Sequence, residues 1–394
     1  LADTIVFVTP WLHDGGIERN LEVKAPGLAS RGYRVSVAAW QMSRVLSGGV
    51  PNPVFETLRN AGIPIVDLAA HGERHQLLRA ARRLAAVCAE TQADVIVGHE
   101  TLGNAVALLA KLLLRGRCRV IAEFHNAVIY PTPGFGRTMA AFVRQLYRAA
   151  DAFLAVSDAV GNDAAEFFHL PRRSIQTVYN PFQPQTLRAL AAEPAAIELP
   201  SEPFIAACGR LVHAKGFDDL IRAVAMLRPR RRLKLVIVGE GPERATLEAC
   251  ARDHGIADDV IFPGFLANPL AVFSRAAAFV LSSRYGEAFS RVLVEAMACG
   301  VPVISSRCRW GPEEVLGSGR YGRLYDVGDV AKLAAALDDT LTDRARSEAL
   351  VGEAYRRVSE FSADRILPRL EELYFARAPQ RWGADPASLT AESH

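Results

Sequence analysis

The sequence has few cysteines, little net charge and no long apolar run. Cys88, Cys118, Cys208, Cys250, Cys299 and Cys308 are scattered, with no Cys-x-x-Cys pair. They read as free core thiols in a reducing compartment, not as a disulfide framework. No apolar run approaches the roughly 18–20 residues a membrane span needs. The opening LADTIVFV reads as a strand and not as a signal peptide. It has no initiator Met, so a trimmed start is expected. The expected location is cytoplasmic, with peripheral attachment to the inner face of the cell membrane left open. A net charge of +3 is too small to argue for nucleic acid. No Asp-x-Asp and no His/Cys/Asp group at metal-ligand spacing is present, so no metal is expected.

What is present is apolar and regular. Half of the 394 residues are hydrophobic and 23% are charged, enough for the cores of two domains. Short runs of Val, Ile and Phe alternate with helical patterns, which predicts parallel α/β sheets. Strands are expected at 4–8, 34–40, 65–68, 95–98, 119–124, 153–156 and 177–179. Helices are expected at 17–31, 75–89, 103–114 and 137–150. Residues 184–202 read as a linker rich in Pro, Ala, Glu and Ser. The alternation then restarts and runs to a helix at 329–342. Two doubly wound sheets facing each other across a cleft would gather ligands at the carboxyl ends of their strands.

Residues 277–306 carry the densest pattern: strand, polar loop, helix, glycine stop, strand. Ser290 is placed to cap the helix and Gly300 to end it. Glu287 lies in the loop. Glu295 lies in a helix of Val, Leu, Ala and Met, where a carboxylate is costly unless hydrogen-bonded. It reads either as paired with a nearby Arg or as a pocket acid for ligand hydroxyls. Arg210 and Lys215 share the loop after an earlier strand and suit a diphosphate. Gly15-Gly16 before the first helix suits close approach of an anion, though it is not the G-x-G-x-x-G fingerprint. Gly264-Phe265 could abut a base. His99 and His125 close two strands on the same side, and Asn126 adds a polar group beside His125.

Together these motifs resemble the retaining GT-B glycosyltransferases of family 4, glycosyltransferase group 1. The resemblance spans GGIE at 15–18, SDAV at 157–160, YNPF at 179–182, GRLVHAKGFDDLIRA at 209–223, VGEGPER at 238–244, FPGF at 262–265 and GEAFSRVLVEAMACGVPVI at 286–304. It implies an α/β GT-B fold of two Rossmann-like domains. The first would be 1–183 plus a C-terminal crossover helix at about 357–376, the second 203–356, with a loose tail at 379–394. It implies a nucleotide-diphosphate sugar as donor, guessed as UDP, and transfer without metal or other cofactor. Arg210 and Lys215 would hold the diphosphate, and Glu295 the ribose. Glu287, Ala288, Phe289 and Ser290 would position sugar and phosphate. Gly15 and Gly16 would close over phosphate or acceptor, and Gly264 and Phe265 would line the base. His125 would sit near donor sugar and acceptor, with His99 as a second acceptor candidate. Ala288 stands where many relatives have Gly, and Ser290-Arg291 replaces a commoner pair, which makes Arg291 a candidate donor contact.

The expected acceptor is a saccharide or lipid-linked saccharide in cell-surface glycan synthesis. Up to Gln183 there are 19 Lys and Arg against 15 Asp and Glu. Arg79, Arg82, Arg83, Arg115, Arg117, Arg119, Arg137, Arg144 and Arg148 suggest either an anionic bilayer contact or ordinary solvated faces. The rival functions are a non-catalytic nucleotide-sugar-binding subunit, or an epimerase or phosphorylase on the same fold.

Overall fold

Strands covered on both faces need apolar side chains throughout, and the runs TIVFVT and AFVL meet that demand: every residue in both is buried. The computed structural model describes residues 2–10, 12, 16, 18–40, 53–68, 76–126 and 144–376. The chain forms two compact units, Leu1–Pro181 with Ala363–His394, and Phe182–Ser362.

The first unit runs β1 (Thr4–Thr9), α1 (Glu18–Ser30), β2 (Arg34–Ala39), α2 (Pro53–Asn60), β3 (Ile65–Asp67), α3 (Gln76–Thr91), β4 (Val95–His99), α4 (Glu100–Leu113), β5 (Arg119–Phe124), β6 (Ala152–Ala155), α5 (Asp158–Phe168) and β7 (Ile175–Thr177). Its strands are all parallel, in the order β3-β2-β1-β4-β5-β6-β7. Two helices went unanticipated, α2 and α5. The SDAV motif starts α5, where Ser157 Oγ accepts from Val160 N at 3.2 Å. The helix expected at 137–150 lies outside the described residues up to 143, as do Gly15 and the tail from 377.

The second unit runs α6 (Pro184–Ala192), β8 (Phe204–Cys208), α7 (Phe217–Leu227), β9 (Lys234–Val238), α8 (Arg244–Asp253), β10 (Val260–Gly264), α9 (Leu270–Phe273), β11 (Ala278–Leu281), α10 (Arg291–Ala298), β12 (Val303–Ser306), α11 (Gly311–Val315), β13 (Arg323–Tyr325), α12 (Val330–Thr342) and α13 (Arg344–Glu360). The sheet is again parallel, β10-β9-β8-β11-β12-β13. The stretch expected as a linker opens instead with α6, whose Pro184 takes the first helical turn, where its missing N–H costs nothing.

The crossover helix expected at about 357–376 is two helices. The chain breaks at Phe361-Ser362, and α14 (Ala363–Tyr374) returns to the first unit. There Ile366, Leu367, Leu370 and Tyr374 join the core formed by Leu21, Ala25 and Leu28. Gly27 of α1 makes room for them, since a Cβ at that position would lie 2.5 Å from Leu367. Among the described residues no helix is long and apolar enough to cross a membrane.

Candidate active site

In both sheets the strand order reverses beside the first strand of the unit, between β1 and β4 and between β8 and β11. The loops at the carboxyl ends of such neighbours diverge and leave a crevice between them. In the second unit those loops are 209–216 and 282–290, so topology alone brings Lys215 and Glu287 together.

Backbone contacts tie the loops to each other. Arg284 N donates to Ala214 O at 2.7 Å, and Ser282 Oγ donates to Lys215 O at 2.8 Å. Gly216 has φ +59°, and a Cβ there would lie 2.3 Å from Ser282 O. The neighbouring glycine loop is as tight: a Cβ on Gly239 would lie 2.0 Å from Gly209 O. Lys215 Nζ then donates to Glu287 Oε1 at 2.5 Å, and Ser283 Oγ donates to the same oxygen at 2.7 Å. Glu287 is also held by its backbone, whose carbonyl accepts from Gly311 N at 2.7 Å. The Arg210 side chain is exposed and has no hydrogen-bond or ion-pair partner among the described residues. The crevice therefore carries one cation already paired with an acid and one that is not.

The helix after the loop departs from expectation in two ways. Ser290 precedes α10 but does not cap it. Its backbone is left-handed, φ 61° and ψ 70°, away from the extended geometry that aims a capping oxygen at the helix amides. Ser290 Oγ is buried with no hydrogen-bond partner. Glu295, expected to be explained by a ligand rather than by a protein group, has Arg291 Nη2 at 3.6 Å one turn earlier. The Arg291 guanidinium also lies 4.3 Å over the Phe182 ring. At 3.6 Å the pair balances charge without saturating the carboxylate, which keeps lone pairs for hydroxyl donors. Ala288 is half-buried and Phe289 buried; the left-handed residues of this loop are Gly286 and Ser290. Gly264 ends β10 with φ +86°, and Phe265 beyond it is 62% exposed.

In the first unit, sequence reasoning missed the central residue. Glu123 interrupts the apolar residues Val120, Ile121, Ala122 and Phe124 of β5 and is buried. Its Oε2 accepts from Lys24 Nζ at 2.7 Å and from His125 Nε2 at 3.0 Å, and its Oε1 accepts from Tyr374 OH at 2.7 Å. His99 Nε2 is 3.1 Å from Oε2 but off the hydrogen-bonding direction. The missed signal was an acid between two strand-end histidines. Burial alone would raise the Glu123 pKa, but Lys24 and the two imidazoles outweigh it and hold the group well below the carboxylate range. Burial pushes His99 down, and His125 down to about 3, so both rings are neutral at physiological pH.

His99, Glu123 and His125 offer ligand atoms within 4.8 Å of one another. Lys24 already supplies the cation at the carboxylate, so this donor set balances its charge with an ammonium. Both rings point into the core, contrary to the expectation of imidazoles facing the ligand. At the end of β5 the polar side chain presented is Asn126, exposed and donating to Glu100 Oε1 at 2.6 Å. Gly16 is an exposed turn residue.

Two family models match consecutive stretches: glycosyltransferase family 4 over residues 14–186 and glycosyl transferases group 1 over residues 192–357. The chain belongs to this glycosyltransferase family. Its relatives include the N-acetyl-alpha-D-glucosaminyl L-malate synthase of Bacillus anthracis, 28% identical over 88% of this chain and 90% of that one. An N-acetylgalactosaminyltransferase of Campylobacter jejuni that acts on a diphospho-undecaprenol-linked saccharide is 29% identical over 67% of this chain and 71% of its own. Among solved structures, a glycosyltransferase of Rickettsia africae matches with TM-score 0.78 at 17% identity, covering 95% of this chain and 98% of that one. Anabaena HepE, solved with UDP, matches with TM-score 0.77 at 20% identity over 94% and 99%. These likenesses establish a GT-B glycosyltransferase and set aside the epimerase, phosphorylase and non-catalytic readings.

Proposed function

We propose that the enzyme transfers a hexose or N-acetylhexosamine from a nucleotide-diphosphate sugar, with UDP as the nucleotide, and retains the anomeric configuration without a metal. The observation that carries this is the pairing of Lys215 with Glu287 beside unpartnered Arg210 at the second unit's switch point. Two cations from one loop suit a diphosphate, and they can stabilise the charge that grows on it as the bond to sugar C1 breaks. The acceptor oxygen forms its bond on the face the diphosphate leaves, and its proton departs with the phosphate. Glu287 orients Lys215 and a sugar hydroxyl. Glu295, charge-balanced by Arg291, accepts from the ribose. Ser290 Oγ and the Ala288–Ser290 backbone face the phosphate, and Gly264 and Phe265 line the base. In the first unit we assign sugar contact to the His125 main chain and Asn126, with the His125 ring as the anchor and His99 behind it. Gly15, outside the described residues, and Gly16 are assigned to phosphate or acceptor binding on the GGIE motif alone.

The acceptor we propose is a saccharide or lipid-linked saccharide of cell-surface glycan synthesis, in keeping with the Campylobacter relative. Arg79, Arg82, Arg83, Arg115 and Arg117 are exposed on the first unit, together with Leu112 and Leu113. They support a peripheral contact with an anionic bilayer. A thermal-shift panel of UDP-, GDP- and ADP-sugars, followed by transfer assays in EDTA, tests the donor and the metal independence. Stabilisation by GDP- or ADP-sugars alone overturns the choice of UDP. Failure of anionic vesicles to retain the protein at low salt overturns the membrane contact.

A further inference from the structure

The second unit has another cleft, of about 680 Å³, at the opposite end of its strands. Pro203, Leu233, Ala277 and Pro302 line it, and each immediately precedes a strand. The cleft thus opens at the amino ends of β8, β9, β11 and β12. Parallel strands of four to five residues put it on the order of 15 Å from the loops that carry Lys215 and Glu287. It does not belong to the donor crevice.

Its rim is cationic. Arg230, Arg231 and Arg232 come from the turn after α7, and Arg344 starts α13. The unit as a whole carries as many acidic as basic residues, so this is a local excess. Two of the basic groups nearby are spoken for. Arg231 Nε donates to Asp338 at 2.7 Å, and Arg228 pairs with Asp259 at 3.3 Å. The side chains of Arg230, Arg232 and Arg344 have no hydrogen-bond or ion-pair partner among the described residues. Besides Asp338, two acids are close: Glu348 lines the cleft, and Glu202 feels the field of Arg232 without an ion pair. Neither neutralises three guanidinium groups. Like charges around one cavity repel unless an anion lies between them, and guanidinium forks match phosphate oxygens. The floor is apolar, and the volume lies in the range of small-molecule sites.

We infer that this cleft binds a phosphate-bearing small molecule with an apolar body. The phosphate is gripped by Arg230, Arg232 and Arg344, with Arg231 held in place by Asp338. The ligand is either a soluble phosphorylated metabolite or the headgroup of an anionic lipid. The inference does not depend on the donor reading.

The test is calorimetric titration of the full chain with inorganic pyrophosphate, in wild type, Arg210→Ala, and the triple variant Arg230→Ala/Arg232→Ala/Arg344→Ala. All three cleft residues are exposed and unpartnered, so the triple variant should melt as wild type does. Wild type should show two sites. Each lost charge-assisted contact should weaken the cleft site by about tenfold or more. The triple variant should therefore lose one site and Arg210→Ala the other. Unchanged stoichiometry and affinity in the triple variant overturns the inference. Loss of a site in the triple variant but not in Arg210→Ala upholds the cleft and instead overturns the diphosphate assignment of Arg210. Flotation with phosphatidylglycerol vesicles separates the sources. Retention that disappears in the triple variant marks a lipid headgroup. Pyrophosphate binding without such retention marks a soluble ligand.

Discussion

Lys215 Nζ and Glu287 Oε1 meet at 2.5 Å although the residues are 72 positions apart. The contact joins the two loops that flank the reversal of strand order in the second unit. It makes the lysine a fixed charge and not a mobile one. Removing it should therefore act on the transition state more than on binding. Lys215→Ala and Arg210→Ala should each lower kcat by on the order of 10²–10³. Steady-state kinetics with the donor found in the nucleotide panel checks this. Unchanged kcat in Lys215→Ala would mean that the diphosphate lies elsewhere.

Glu295 should show the opposite pattern. A charged acceptor that binds ribose hydroxyls contributes to ground state and transition state alike, so its loss raises KM more than it lowers kcat. Glu295→Ala should raise donor KM by roughly tenfold or more, in line with about 1.5–3 kcal/mol for a hydrogen bond to a charged group. Arg291→Lys keeps the charge beside Glu295 but loses the planar stack on Phe182. It should raise KM less than Glu295→Ala. A kcat effect without a KM effect in Glu295→Ala would remove it from the nucleotide site.

Gly216 and Gly328 separate space from backbone strain. Both have positive φ, +59° and +76°, but only Gly216 has backbone in the way, Ser282 O at 2.3 Å from a built Cβ. Gly328→Ala should cost about 1–2 kcal/mol, the left-handed penalty alone. Gly216→Ala should cost more, and it should also lower kcat by parting the loops that align Lys215. Melting temperature and kcat measured on both variants decide the point. Equal effects would show that the loop contact does not matter.

The buried Glu123 cluster should set the acid limit of stability. The folded His125 pKa is depressed from 6.5 to about 3. Between those values the unfolded state binds more protons, so stability falls as pH drops through that window. The depressed Glu123 adds to the loss: its contribution is present above the unfolded carboxylate pKa and disappears as pH falls through the folded one. Melting temperature should therefore decline steadily below about pH 6.5. His125→Gln should flatten the upper part of that decline. Lys24→Met, which leaves a buried carboxylate without its cation, should cost about 3–5 kcal/mol. Lys24→Met with Glu123→Gln should recover part of it. A double variant worse than the single would show that the pair is not the unit of stability.

Both sheets were readable because periodicity and burial are local. Most strands announce themselves as short apolar runs bounded by turn residues, whereas β7, with the sequence IQT, lies at 175–177 and not at the expected 177–179. The helices that escaped notice, α2, α5, α6 and α11, are short, from five to eleven residues. Their form depends on what they lie against. The glycines of 209–216 and 238–242 read as loops, but the carbonyl oxygens that require them, Ser282 O, Gly209 O and Leu211 O, belong to the loops after other strands.

Chemistry-bearing residue types and their spacing were fixed by the chain itself: Arg210 and Lys215 in one loop, Glu287 and Glu295 a loop and a helix turn apart, and histidines at two strand ends. Partnership was decided only in three dimensions. Lys215 found Glu287 because parallel order β8-β11 makes distant loops adjacent. Glu295 took Arg291 because a helix brings residues four apart onto one face. His99 and His125 turned inward to a carboxylate, Glu123 of β5, that Lys24 from α1 and Tyr374 from α14 hold in place. Periodicity along a chain records which groups are buried. It does not record which buried charge meets which, because that depends on strand order, and strand order is a property of the folded sheet.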